Sequence, residues 1–298
     1  MRLILLALAL LVSSRAEADP NAWFGALTDR VVDDLAAGKP LVVHAHVPLC
    51  SNEIISCGNA KLGDGEAPDT NLYWITDEGF VGWFGRRGSG WKQVKKSKGD
   101  DKDVLEERVW KRQIAAPREW RKRGVPAKFD VYVVAFAWRG SAIDRGLAAY
   151  WHDLYGKSST VIELDDGTKL AAGGAAQVVS YVGHNRLYDV PEPDWASLEV
   201  KDAPVRGTIA IACNTGPFMA EHVPAATRVP LVFTNDFLMA SAGAFEGAVL
   251  AFAGGGDYGA IRKAAAHGYA IAGNHDEKKI GGVFTNPSDR RWGKRRGE

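Results

Sequence analysis

The chain is poor in cysteine, with only Cys50, Cys57 and Cys213 among 298 residues. An odd count leaves at least one thiol outside any intramolecular pair. Long apolar runs are missing as well. After Val12 no stretch approaches the roughly 20 apolar residues that cross a bilayer, which excludes a spanning helix in the remainder. No internal repeat recurs and no low-complexity segment interrupts the chain, so a solenoid or a long disordered tract is excluded. Net charge is almost absent too, at +1. There is therefore no chain-wide field of one sign to draw a nucleic acid or an anionic surface.

What is present begins with a leader-like segment. Residues 1–18 carry Arg2, an apolar run from Leu3 to Val12, and the Ala16-Glu17-Ala18 pattern of a signal-peptide cleavage site. The run is too short to cross a bilayer. The expectation is an exported protein, periplasmic or secreted, that starts near Asp19 and has no membrane span in its mature form. Residues 19–298 suffice for a full core and are expected to form a single α/β domain. In an oxidising compartment Cys50 and Cys57 are close enough in sequence to close a small disulfide loop, leaving Cys213 free.

Charge is uneven along the chain. Arg86 to Arg123 holds 14 basic and 6 acidic residues, a net of +8, with Trp91, Trp110 and Trp120 interleaved. Such interleaving occurs on nucleic-acid-binding surfaces. A solvated face is the commoner origin, and an exported chain is not expected to meet nucleic acid.

The coarse pattern alternates strands with helices. Apolar residues at helical spacing (Phe24, Leu27, Val31, Leu35) predict a helix over Ala22–Ala37, followed by a first strand in "PLVVHAHV". Residues of about 50–123 read as an insertion after that strand. Its first part, including "NLYW" and "GFVGWFG", reads as loops and short strands, and Lys92–Arg123 as charged and partly helical. Phe129–Trp138 is a second strong strand. Ser141 reads as the cap of a helix that Gly156 stops. Val161–Gly174 reads as a hairpin turning at Asp-Asp-Gly. Gln177–Val182, Gly207–Ala212 and Pro230–Phe233 are further strands. Helices are expected near Pro217–Glu221, Met239–Phe252 and Tyr258–Ala270. This alternation predicts an α/β fold with a mainly parallel sheet flanked by helices.

Two of these strands stop at reactive residues. "VVSYVGHN" ends in His184 and "GTIAIACNTG" ends in Cys213. In open α/β sheets, ligands bind outside the carboxyl ends of the strands. If the two strands are neighbours, both side chains face one crevice. A free thiol is about 3% thiolate at pH 7, and a nearby imidazolium raises that fraction. Cysteine chemistry needs this pair together with backbone N–H donors for an oxyanion.

The order strand–Gly–His followed by strand–Ala–Cys resembles the caspase-like cysteine peptidases, the group of caspases, legumains and gingipain-type peptidases. The resemblance covers roughly Pro40 to Gly254, and its specific part is "YVGHN" and "AIACNTG". It implies a caspase-like sheet, Cys213 as nucleophile and His184 as its proton-transfer partner. It also implies an oxyanion site from the backbone N–H groups of Cys213 and Asn185. The group has Gly after its His, where this chain has Asn185, a residue that tolerates unusual backbone angles. Candidate pocket residues are His46, Asp189, Asn214 and Asp236. Asp189 or Asp236 would suit a basic side chain. His46 would line the same crevice if its strand neighbours that of His184. The implied activity is cleavage of an amide bond in a peptide or protein, with no cofactor and no metal. The alternative is a non-catalytic binding or surface protein on the same scaffold. "LCSNE", "LGDGEAPDTNLYW", "YVGHNRLYD" and "IAIAC" together also resemble a family of exported bacterial proteins, which ties these segments into one unit and implies no substrate.

Two other motifs have competing readings. "GNHDEKK", from Gly273, matches one element of the metallophosphoesterases. The chain lacks that group's early Asp-x-His and late histidine pair, so a polar helix end is the expectation. His44 and His46 alternate on one strand and share a face. With a third ligand they suit zinc, although strand histidines are more often packed and hydrogen-bonded.

Overall fold

The computed structural model describes residues 19–294; the leader-like residues 1–18 lie outside the described residues. The chain opens with α1 (Pro20–Ala36), β1 (Leu41–Pro48), α2 (Phe80–Gly85), β2 (Lys92–Ser97), β3 (Val104–Ala115), α3 (Arg118–Lys122) and β4 (Lys128–Trp138). It continues through α4 (Ile143–Tyr155), β5 (Ser159–Glu163), β6 (Lys169–Gly173), β7 (Val178–Val182), α5 (Trp195–Leu198) and β8 (Arg206–Ile211). The last elements are α6 (Thr215–Met219), β9 (Arg228–Thr234), α7 (Ala242–Ala253), α8 (Tyr258–Gly273), α9 (Glu277–Ile280) and β10 (Phe284–Thr285).

Eight strands form one sheet in the order β10-β9-β8-β7-β1-β4-β3-β2. The five central strands, β9, β8, β7, β1 and β4, run parallel. β3 and β2 extend one edge antiparallel, and β10 does so at the other. β5 and β6 form a separate hairpin, as the Asp-Asp-Gly turn predicts, with Gly167 at φ +81°. Helices and loops cover both faces, so the central strands read as nearly continuous apolar runs.

β1 separates two cores by its alternation. Leu41, Val43, Ala45 and Val47 point to the face covered by α1, α7 and α8. Val42 points to the opposite face, where α4 lays Leu147, Tyr150, Trp151 and Leu154. His44 and His46 share the parity of Val42.

The structure departs from the sequence pattern in three places. Lys92–Arg123 is mostly strand, and its helical part is only the short α3: β2 and β3 pair with each other, and β3 pairs with β4 over its whole length. Charges there sit on a sheet edge, where cross-strand partners satisfy them, as in Lys95–Glu107 and Lys111–Asp130, both 2.8 Å. The three tryptophans of this stretch are buried in the core. "GFVGWFG" is the helix α2, because Phe80, Trp83 and Phe84 share one buried helical face. Ser141 does not cap α4; it sits in a short 3-10 turn and donates to Glu66 Oε1 at 2.9 Å. Gly156 does end α4, in the left-handed conformation at φ 78°.

Candidate functional site

The register of the two neighbouring strands β7 and β8 builds the site. Val182 stands opposite Ile211, and Gly183 N–H donates to the Ile211 carbonyl at 3.1 Å. Two residues beyond that pair, His184 and Cys213 leave the sheet at the same level. Both are partly exposed. Asn185 binds the two chain ends together: its Nδ2 donates to the Cys213 carbonyl at 2.7 Å, and its Oδ1 accepts from Leu187 N at 3.1 Å. The residue after His184 is thus buried and clamped.

The His184 ring is oriented by an acid. Its Nε2 donates to Asp189 Oδ2 at 2.6 Å, and Arg186 reaches the same oxygen at 3.1 Å. Burial works to raise the Asp189 carboxyl, but the bonds from His184 and Arg186 outweigh it and hold it below its ordinary range. Asp189 is therefore the partner of His184. The His184 carbonyl accepts from the Tyr181 hydroxyl at 2.8 Å, which fixes the backbone as well.

Cys213 is a free thiol whose Sγ donates to the Leu238 carbonyl at 3.4 Å. Burial pushes the thiol above its ordinary value, and the charge of Asp236 adds to that. Among the described residues no hydrogen bond joins Sγ to the His184 ring. Burial and the Asp236 charge both favour the thiol over the thiolate.

The loops that follow β8 and β9 complete the candidate site. Asn214 takes the left-handed conformation at φ 51°, its N–H donates to the Asp236 carbonyl at 3.1 Å, and its Nδ2 reaches the Tyr188 hydroxyl at 2.7 Å. Tyr188 stacks on Phe237, which is 71% exposed, and meets Phe218 edge-on at 4.8 Å. The sequence reading missed Tyr73 and Tyr269. Burial raises both phenols, and the charge of Cys213 adds to each, so both hydroxyls lie within electrostatic reach of the sulfur. Tyr73 comes from the 50–79 loop. Cys50–Cys57 form a disulfide in that loop, with Cα atoms 6.0 Å apart. Asn71 anchors the loop by bonding both the N–H and the carbonyl of Cys50, at 3.0 and 2.8 Å.

His46 lies elsewhere. β1 does neighbour β7, but His46 stands opposite Tyr181, three residues before His184, and points to the face covered by α4. There it meets Asp153 Oδ2 at 2.9 Å, beside His44, which approaches the same oxygen at 3.2 Å. Both histidines are 1% exposed. The "GNHD" element is a helix end, as expected: Asn274 caps α8 at φ 53°, and Asp276 caps α9.

Comparison of the chain with protein-family models, with curated proteins and with solved structures finds no match. What can be said of function therefore rests on an α/β fold with a mostly parallel sheet and on these two histidine sites.

Proposed function

We propose that the protein is a cysteine-dependent amide hydrolase acting on peptides or proteins, on a caspase-like scaffold. The observation that carries the reading is the shared level of His184 and Cys213 beyond the Val182–Ile211 pair, with Asp189 bonded to one nitrogen of the imidazole. These residue types fit the roles of nucleophile, base and orienter in thiol and hydroxyl hydrolases. The parallel order β4-β1-β7-β8 supports it, with His ending β7 and Cys ending β8.

In this reading the substrate carbonyl displaces the Leu238 contact, and His184 takes the Cys213 proton as sulfur attacks the carbonyl carbon. Backbone N–H groups of Asn185 and Cys213 receive the developing oxyanion. The C–N bond breaks as His184 returns the proton to the amine. Water, activated by His184, then hydrolyses the thioester and restores the thiol. Asp189 keeps the ring in the required tautomer. The disulfide, and a set of described helices none of which is long and apolar enough to cross a membrane, fit export to an oxidising compartment.

One observation favours a binding protein instead: the resting thiol is bonded to Leu238, not to His184. A fluorogenic peptide-amide library separates the two. The hydrolase reading expects turnover by the wild type that falls about a thousandfold or more in Cys213→Ala and in His184→Ala. Peptide binding without turnover, unchanged in Cys213→Ala, would overturn it.

A further inference from the structure

The β1 face opposite the α1, α7 and α8 layer holds chemistry that the crevice does not use. His44 and His46 stand two apart on β1, and Asp153 comes from the last turn of α4 packed across them. All three are buried, and one ligand atom from each lies within 4.8 Å of the others. The Asp153 Oδ2 atom sits 2.9 Å from His46 Nε2 and 3.2 Å from His44 Nδ1. Zinc bound to nitrogen and oxygen at about 2.0–2.2 Å gives tetrahedral ligand edges of roughly 3.3 Å. The two edges that meet at Asp153 Oδ2 are already close to that length.

Two further observations point to a ligand. His44 is almost completely buried, yet its Nε2 has no hydrogen-bond partner among the described residues. A buried, unpartnered imidazole nitrogen is costly and asks for an explanation. The three residues also line a cavity of about 370 Å³, walled by Phe136, Trp138 and Ile162 and edged by His152. The carboxylate is held for the task on its other side, where Ser158 Oγ donates to Asp153 Oδ1.

We propose that His44, His46 and Asp153 bind a divalent transition metal of the zinc class, with the fourth coordination position opening into this cavity. Imidazole and carboxylate together suit Zn²⁺ and Co²⁺, whereas Mg²⁺ and Ca²⁺ prefer all-oxygen sets. Three protein ligands and one open position are the pattern of an exchangeable site rather than a closed structural one.

The present hydrogen bonds also fix what binding must change. Trp138 Nε1 donates to His46 Nδ1 at 3.1 Å, and Gly173 N donates to His44 Nδ1 at 3.0 Å. An imidazole that gives Nε2 to a metal carries its proton on Nδ1, and an indole can only donate. Metal on His46 Nε2 therefore shifts the ring proton from Nε2 to Nδ1 and turns the Trp138 indole aside, and metal on either nitrogen of His44 likewise ends the Gly173 bond to Nδ1. Trp138 opposes the metal, and Trp138→Phe removes that opposition.

The test is titration of the chelator-treated full chain with Zn²⁺ alone and with Co²⁺ alone, followed by calorimetry and by cobalt absorption. The expected result is one equivalent bound, with the intense visible bands of four-coordinate cobalt. Asp153→Asn and His46→Gln weaken binding by about a hundredfold or more. Trp138→Phe tightens it by about tenfold, the scale of an outer-shell partner. The Trp138 variant keeps the proposal testable if the Asp153 or His46 variants fail to fold. No saturable binding would overturn it. So would binding that survives Asp153→Asn, which would belong to exposed histidines such as His222 and His267, or affinity unchanged in Trp138→Phe.

Discussion

The site beyond the ends of β7 and β8 and the buried face of β1 each place histidine against aspartate, and the two sites differ in exposure. His184 lies just past its strand, where the ring is partly open and Asp189 is exposed enough to hold an arginine as well. His44 and His46 lie within β1, under α4 and the β5–β6 hairpin, and share one buried carboxylate. The same residue pair thus has two consequences. Beyond a strand end it orients a reagent toward solvent. Within a strand it becomes part of the core, where every polar atom must be satisfied locally. The crevice is therefore expected to lose activity on mutation while keeping its fold, and the β1 face to do the reverse.

The largest stability effect falls on Asp153. Asp153→Ala removes the acceptor of His46, the near neighbour of His44 and the partner of Ser158 in one step. Breaking one partner out of a buried polar cluster costs about 3–5 kcal/mol, to be read from urea unfolding. The pH dependence sharpens the contrast. Burial and the neighbouring His44 lower His46 below its ordinary 6.5, in spite of Asp153. Below that pH the unfolded chain binds a proton that the folded chain refuses. Stability therefore falls as pH drops from about 7 to 5, and His46→Gln flattens that slope. If Asp189→Ala cost as much stability as Asp153→Ala, the division between the two regions would be wrong.

The next effect belongs to the loop that carries Tyr73. Closing the short loop between Cys50 and Cys57 restricts the unfolded chain by roughly 2–3 kcal/mol. The Cys50→Ser/Cys57→Ser variant is expected to lose about that much stability. It should also loosen the loop around Tyr73 while leaving the His46–Asp153 contact intact. Hydrogen exchange reads both: faster exchange in residues 50–79 and unchanged protection in β1. Equal loosening of β1 would show that the two regions form one cooperative unit.

Much of this frame was legible in the sequence because each signal was local. The β-branched runs of β1, β4, β7, β8 and β9 declared a parallel sheet, and Gly183 and Ala212 marked where β7 and β8 stop. The β2–β3 hairpin was hidden because its residues are charged. Only cross-strand partners such as Glu107 and Asp130 make that edge stable, and these are neighbours in space. Asp153 was hidden for a related reason. In "AAYWHDLYG" it reads as one more polar position on an amphipathic helix, and nothing local says that it faces β1. The facing direction of His46 was equally unreadable until the register of β1 with β7 fixed which side of the sheet it takes. C-terminal helix ends fared better than the Ser141 cap: "GNHD" is a cap, and its asparagine takes the left-handed angle that caps require.

The smallest expected effect bears most directly on the crevice. In the free protein Cys213 donates to Leu238, and burial raises its thiol above the ordinary range. Alkylation by iodoacetamide should therefore be slower at pH 7 than for a free cysteine. It should rise only at alkaline pH, because deprotonation comes late. His184 makes no bond to the resting sulfur among the described residues. His184→Ala should then change the alkylation rate by less than about twofold, while peptide turnover falls far more, since the ring acts only once a substrate carbonyl has displaced the Leu238 contact. A resting thiol already reactive at pH 6, and quenched by His184→Ala, would instead mean a preformed ion pair. The crevice would then resemble the β1 face, with its charges coupled before any ligand arrives, and the contrast between the two histidine sites would rest on exposure alone.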